Sequence, residues 1–324
     1  MKIGRNFTNL LETMYLSAEE KEALRKGSLS VPDMDATVQI KSKRNIIFQV
    51  EMAKEIGIDH VELDGGVPNP FLNMTADEVE RARKKSEELG ITISLHLPYT
   101  FVAESIVSFQ PEERKIAVDL LKRYIDFAHR LGCLAVNLHP GSVPFYQAAG
   151  LYLKIVQDGL RESLLDLARY CAGKKIIFHM ENNTYFDNIY KEVDEIVELL
   201  KDLKKEGADI KFCFDIGHWF TRAFKNFGLE IPNPPEDIFL KIPGEFLWEV
   251  HLNDYIAEKN KFHPPLHYEA GPLKKANLVK LAGYFRKQGV KLIVVETAVR
   301  DVEELLNSKA LLLEESAYLR EVFK

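Results

Sequence analysis

Apolar positions along this chain switch repeatedly between two periods. Stretches with apolar residues three and four apart, the spacing of one helix face, run into a glycine and then into a short apolar run with the period of a strand. Thus "KEIG" leads to "IDHVELDGG", "SEELG" to "ITISLHLP", "AHRLG" to "CLAVNLHP", "RYCAG" to "KKIIFHMEN", "KKEG" to "ADIKFCFDIGH" and "RKQG" to "VKLIVVETA". Gly57, Gly90, Gly132, Gly173, Gly207 and Gly289 each fall where a helix is expected to end, because the residue there adopts a left-handed conformation that costs glycine nothing. The preceding segments carry helix signals. Thr75 and Glu78 stand at capping-box spacing, proline and acids open "PEERKIAVDLLKRYIDFAHRLG", and "KEVDEIVELLKDLKKEG" is acidic early and basic late.

Alternating helices and strands imply a parallel sheet with right-handed crossovers. With "FLWEVHLND" after "KIPGE", seven strands are evident, and the eighth should come first. "MKIGRN" is the candidate and "LSVPDM" at Leu29 its rival; residues 7–44 form an elongated region without a clear pattern. Units of roughly 35–45 residues are close to those of an eight-fold βα barrel. The expectation is a single α/β domain over residues 1–324, a (β/α)8 TIM barrel. An open doubly wound sheet is the competitor, but no GxGxxG or Walker loop follows any strand.

Strand side chains alternate between faces. One phase of each strand stays apolar, while the other turns polar toward the end. Glu62 and Asp64 oppose Val61 and Leu63; Ser94 and His96 oppose Ile93 and Leu95; Asn137 and His139 oppose Val136 and Leu138. His179 and Glu181 oppose Phe178 and Met180, Cys213 and Asp215 oppose Phe212 and Phe214, Glu249 and His251 oppose Trp248 and Val250, and Glu296 opposes Ile293 and Val295. In a barrel the outward face packs on helices, and the inward face meets the active site at the carboxyl ends. The pattern therefore predicts an inward ring of His, Asp and Glu. Burying such groups unpaired costs several kcal/mol each; a divalent cation turns that cost into binding. Imidazoles and carboxylates without thiolates suit Zn, Mn, Co or Mg. His60 at a strand start, His129 on a helix, His179 one layer below Glu181 and the outward Trp248 read as structural. "KSKRN" at Lys41 to Asn45 reads as a solvated helix start.

Composition narrows the picture little. The chain is 46% hydrophobic and 28% charged, as in an ordinary soluble protein. No apolar stretch approaches the roughly 20 residues of a membrane helix, and "MKIGRNFTNLLETMYLSAEE" lacks the features of a secretory signal. Cys133, Cys171 and Cys213 form no zinc or redox motif. A cytoplasmic location without membrane partners is expected. The net charge of −6 disfavours a surface coated for nucleic acid.

Taken in order, "SLHLP", "NLHPGS", "MENNT", "FDIGHWF", "EVHLND" and "VVETA" resemble the xylose-isomerase-like barrel superfamily from about the second strand to the last. That group includes metal-dependent sugar isomerases and epimerases and the endonuclease IV type of abasic-site nuclease (AP endonuclease family 2). The resemblance implies a divalent cofactor, Zn, Mn or Co, held chiefly by Glu181, Asp215, His251 and Glu296, with one to three ions in all. In the nuclease branch His96, His139 and Glu181 bind a second ion, and His218 joins a histidine after the seventh strand, here His263 or His267, on a third. The nuclease's Asp-x-His is missing from "FHPPLHYEAGPL". The implied activity is isomerisation or epimerisation of a sugar or sugar phosphate, with Glu181 and Glu296 moving the proton α to a metal-bound carbonyl. Glu62, Asn182, Trp219, Arg222, His263, His267 and Arg300, at or beyond strand ends, are the candidates to orient substrate. Two alternatives stay open: metal-assisted phosphodiester hydrolysis at abasic DNA, which the His96/His139 pair favours, and a non-catalytic barrel that binds a sugar or a protein. A homo-oligomer is compatible with all three.

Overall fold

The computed structural model describes residues 1–184, 189–224 and 231–323. Eight parallel strands close into a barrel: β1 (Lys2–Asn6), β2 (His60–Asp64), β3 (Thr92–His96), β4 (Ala135–Leu138), β5 (Ile177–Glu181), β6 (Ile210–Asp215), β7 (Glu249–His251) and β10 (Leu292–Val295). β8 (Tyr255–Ile256) and β9 (Lys261–Phe262) form a separate antiparallel hairpin after β7. β1 pairs with both β2 and β10, so "MKIGRN" is the strand that completes the ring. The connecting helices are α1 (Ala18–Arg25), α2 (Val31–Arg44), α3 (Ile46–Ile56), α4 (Ala76–Leu89), α5 (Pro111–Leu131), α6 (Gly150–Lys174), α7 (Val193–Lys205), α8 (Ile216–Phe224), α9 (Lys275–Gln288), α10 (Val302–Leu306) and α11 (Ser308–Phe323). Among the described residues no helix is long and apolar enough to cross a membrane.

The apolar phase of the strands makes the layer between sheet and helices. Val61, Leu95, Val136, Met180, Phe212, Phe214, Val250 and Ile293 are buried there without exposed surface, and each such side chain contributes about 1.5–3 kcal/mol through burial. In parallel pairing, residues in register share a face. Glu62 lies beside Ser94, Asp64 beside His96, His96 beside Asn137, Glu181 beside Cys213 and Asp215 beside His251. The polar phase therefore turns inward on successive strands, as the alternation requires.

Three local expectations are corrected. "LSVPDM" is a helix start: Ser30 accepts the Asp33 N–H as N-cap of α2, and Pro32 sits in the first turn, where its missing N–H costs nothing. "KSKRN" ends α2 rather than starting a solvated helix, and Asn45 caps α3 by accepting from Phe48 N. Lys43 is only 6% exposed; its Nζ reaches Asp64 Oδ2 at 2.9 Å and donates to the Gly66 carbonyl at 2.6 Å, which ties α2 to the loop after β2. Finally, α6 runs through Gly173, and Lys175 takes the left-handed turn at φ 59°. Cys171 and Ile176 are both buried and joined by an Ile176 N to Cys171 O bond, so packing sets the exit from this helix.

Candidate metal centre

β6 delivers Asp215 to the mouth of the barrel and α8 begins on it. Asp215 Oδ1 accepts the His218 N–H at 2.9 Å, capping the helix and leaving Oδ2 for the centre. The turn is tight: a Cβ on Gly217 would stand 2.9 Å from Asn253 Cβ, so glycine is required between Asp215 and His218. Asn182, just past β5, clamps the Asp215 backbone, donating to its carbonyl and accepting from its N–H, both at 2.8 Å.

Around this point the ring converges. One ligand atom from each of Glu181, Asp215, His251 and Glu296 lies within 4.8 Å of every other, all four buried. His251 Nδ1 is 3.2 Å from both Glu181 Oε1 and Glu296 Oε2. On its far side Nε2 faces Glu62 Oε2 at 3.4 Å and Glu249 Oε1 at 3.6 Å, the carboxylate–histidine arrangement that orients metal-binding imidazoles. His96, His139 and Glu181 form an adjoining group, and Asp215, His218, His263 and Glu296 another. His96 Nδ1 lies 2.8 Å from the Leu97 carbonyl, which fixes the proton there and leaves Nε2 facing Glu181 Oε2 at 3.2 Å.

Electrostatics follow from burial. Burial alone would raise the carboxyls, yet His251, with His139 and His218, holds Glu181 well below the ordinary carboxylate range, and His251 lowers Glu296 likewise. Burial would lower the imidazoles, but for His96 the Glu181 carboxylate outweighs it, lifting the ring to about 10. Asp215 and Glu181 lift His218 to about 9. His139, without such close pairing, is pushed down to about 3 by burial. The donor set fits a divalent cation: Glu181 Oε1, His251 Nδ1 and His263 Nε2 are buried and make no hydrogen bond, and three carboxylates share one dry point.

Asparagine amides hold these carboxylates, and the sequence reading missed them. Asn253 Nδ2 donates to Asp215 Oδ2 at 2.7 Å and to Glu296 Oε2 at 3.2 Å, while its Oδ1 accepts the Glu296 N–H. Asn137 donates to Glu181, and Asn6 bridges Glu62 and Glu296. The available signal was phase for Asn137 and adjacency to His251 for Asn253.

The centre floors a cavity of ≈ 850 Å³. His96, His139, His218, His263, Glu296 and Arg300 line it, as do Tyr99 and residues of the 7–44 region. Tyr99 packs its ring 5.1 Å from His96, and the Asp64 carboxylate pushes its phenol well up, so it stays protonated. His263 is brought in by the β8–β9 hairpin, its Nε2 3.8 Å from Asp215 Oδ2. Other substrate-orienting candidates end elsewhere. Glu62 is buried beneath His251, and Asn182 is engaged with the Asp215 backbone. Trp219 and Arg222 are buried on α8, outside the cavity lining, because the helix turns them from the mouth. His267 stands beside Glu314 at 3.7 Å, away from the cavity.

A family model described as xylose isomerase-like TIM barrel matches residues 50–322. Among curated proteins, the chain is 23% identical over 242 residues to 3-methyl-2-oxobutanoate hydroxymethyltransferase 1, mitochondrial, of Oryza sativa subsp. japonica, covering 71% of this chain but only 58% of that enzyme. It is 22% identical over 229 residues to the probable endonuclease 4 of Mycoplasma pneumoniae, covering 67% of this chain and 73% of that protein. Among solved structures, a putative xylose isomerase from Rhodospirillum rubrum superposes with TM-score 0.70 at 14% identity over 99% of both chains. D-psicose 3-epimerase with D-tagatose from Clostridium cellulolyticum H10 gives 0.65 at 14% identity over 100% of both. The IolI protein with a bound zinc atom gives 0.66 at 11% identity over 100% of both. At these identities the structural likeness shows the fold.

Proposed function

The chain belongs to the xylose isomerase-like TIM-barrel family, and from that premise we propose that it is a divalent-metal-dependent isomerase or epimerase of a sugar or sugar phosphate. One observation carries this: ligand atoms of Glu181, Asp215, His251 and Glu296 converge within 4.8 Å of one another, and Glu296 opens this buried group to the cavity it lines. Those four residues would hold the ion. When bound, a divalent cation supplies a Lewis acid that draws charge from a carbonyl oxygen. Glu181 and Glu296 do the proton work. His251 beside both keeps them ionised despite burial, the form that can accept a proton. They come from β5 and β10, on either side of β6 and β7. One takes the proton from the carbon next to the carbonyl, and the other returns a proton from the opposite side. Tyr99, kept protonated, donates to a substrate oxygen. The solved relatives that carry sugar names support the same class of reaction.

A second reading has its own observation. The His96–His139–Glu181 and Asp215–His218–His263–Glu296 groups flank the central one, as a several-ion phosphodiesterase would need, and one curated relative is named an endonuclease. Lys261, two residues before His263, weighs against it: this residue faces Glu304 at 3.5 Å and is no ligand. Incubation of the Mn-loaded protein with D-tagatose or D-fructose in heavy water separates the two. Deuterium at the carbon next to the carbonyl is the expected result. No exchange, with nicking of an abasic duplex, would overturn the isomerase reading.

A further inference from the structure

The barrel does not build the whole cavity. Asn9, Val31, Asp35 and Gln39, from the 7–44 region, line it together with the strand-end ring. Among them Asp35, on α2, carries the charge. Behind it stands Glu12, 1% exposed, whose carboxyl is pushed up to about 9 by burial and by Asp35 itself. Glu12 therefore keeps its proton at neutral pH and adds no second charge beside Asp35. One oxygen of each, Glu12 Oε2 and Asp35 Oδ1, has no donor among the described residues.

The cations of this wall are already committed. Lys43 spends its ammonium on Asp64 Oδ2, the Gly66 carbonyl and the Pro68 carbonyl at 2.9, 2.6 and 3.3 Å. Arg300 is the one arginine or lysine on the described lining, and it is exposed. His96 and His218 bring positive charge at the strand ends; on the rest of the lining Asp64 is paired with Lys43 and Glu104 accepts from the Ser142 hydroxyl at 2.8 Å, which leaves Asp35 as the carboxylate with an oxygen to offer. At Asp35 such a wall suits a hydroxyl donor, which bonds well to a carboxylate, and disfavours a dianionic phosphate placed against it.

We propose that Asp35 is a specificity-determining residue of this site: its carboxylate accepts a hydroxyl of an uncharged polyol and turns away a phosphorylated sugar whose phosphate would stand against it. This rests on the sugar reading above and narrows it to non-phosphorylated substrates. It also gives the 7–44 region a role, that of the wall that selects.

Titration calorimetry on the intact Mn-loaded protein tests it, with D-fructose and D-fructose 6-phosphate as probes. Wild type should bind the free sugar at least about tenfold more tightly than the phosphate. Asp35→Asn, nearly isosteric, should weaken free-sugar binding about tenfold and narrow the gap, and Asp35→Lys should reverse the preference; circular dichroism checks that each variant is folded. Equal or tighter binding of the phosphate by wild type, an unchanged ratio in folded Asp35→Asn, or no binding of either probe would overturn the proposal. Heavy-water exchange is read separately. The expected binding preference without exchange supports this inference while removing the isomerase reading. Exchange with the phosphorylated sugar preferred overturns this inference alone.

Discussion

The two walls of the cavity are made by different means. The strand-end ring is held by backbone geometry: His96, Glu181, Asp215 and His251 close their strands in one phase, and register brings them together. The opposite wall belongs to α2 and the segment before it, and is held by side chains: Lys43 on Asp64, Asn9 on the Val299 carbonyl and Thr13 on the Leu305 carbonyl. Rigid, period-fixed positions suit groups that must converge on one atom to within fractions of an ångström. A wall docked by side chains can change its lining without disturbing that convergence. On the proposals above, chemistry and selection would be carried by separable parts of the chain.

The largest expected effect falls on the ring. Glu181→Gln should lower turnover by ~10²–10⁴-fold, the usual worth of a positioned acid–base group, with an unchanged circular dichroism spectrum. A loss below tenfold would mean that the ring does not carry the chemistry. A smaller effect is expected one layer back. Asn253→Ala removes the amide between Asp215 and Glu296 and should weaken Mn binding by about 10–100-fold in competition with a chelating dye. Unchanged affinity would show that the carboxylates need no external support.

The last effect concerns the wall made by residues 7–44 and is read in stability rather than in activity. Burial and Asp35 raise Glu12 from its ordinary value of 4.5 to about 9, so between those values the folded chain keeps a proton that the unfolded chain releases. The Glu12 contribution is therefore full below pH 4.5 and declines as pH rises through the window to about 9. Glu12→Gln should flatten that decline in urea titrations run across the window, while leaving metal affinity intact. A slope identical to wild type would remove the protonated Glu12 from the account.

Much of the site was legible because residue type and period coincided. A histidine or carboxylate at the polar-phase end of a barrel strand has few positions open to it, which located His96, His139, Glu181, Asp215, His251 and Glu296. Residues beyond the strands were harder. Trp219 and Arg222 follow Asp215 closely in sequence, but a helix starts there and rotates them away from the mouth. His263 and His267 were equivalent in the sequence; the β8–β9 hairpin brings only the first to the cavity. Lys43 read as solvated because its partner, Asp64, lies on another element.

The sequence by itself determined the barrel, its inward phase and the donor types at its mouth, since these follow from the two-residue period of a strand and from turn chemistry, both local properties of the chain. Tertiary structure alone decided which nitrogen of His251 faces Glu181 and Glu296, which asparagines hold those carboxylates, and that residues 7–44 line the cavity. Those outcomes depend on pairs such as Asn6 and Glu296, 290 residues apart. No period in a sequence encodes such a distance; only closure of the ring brings the partners together.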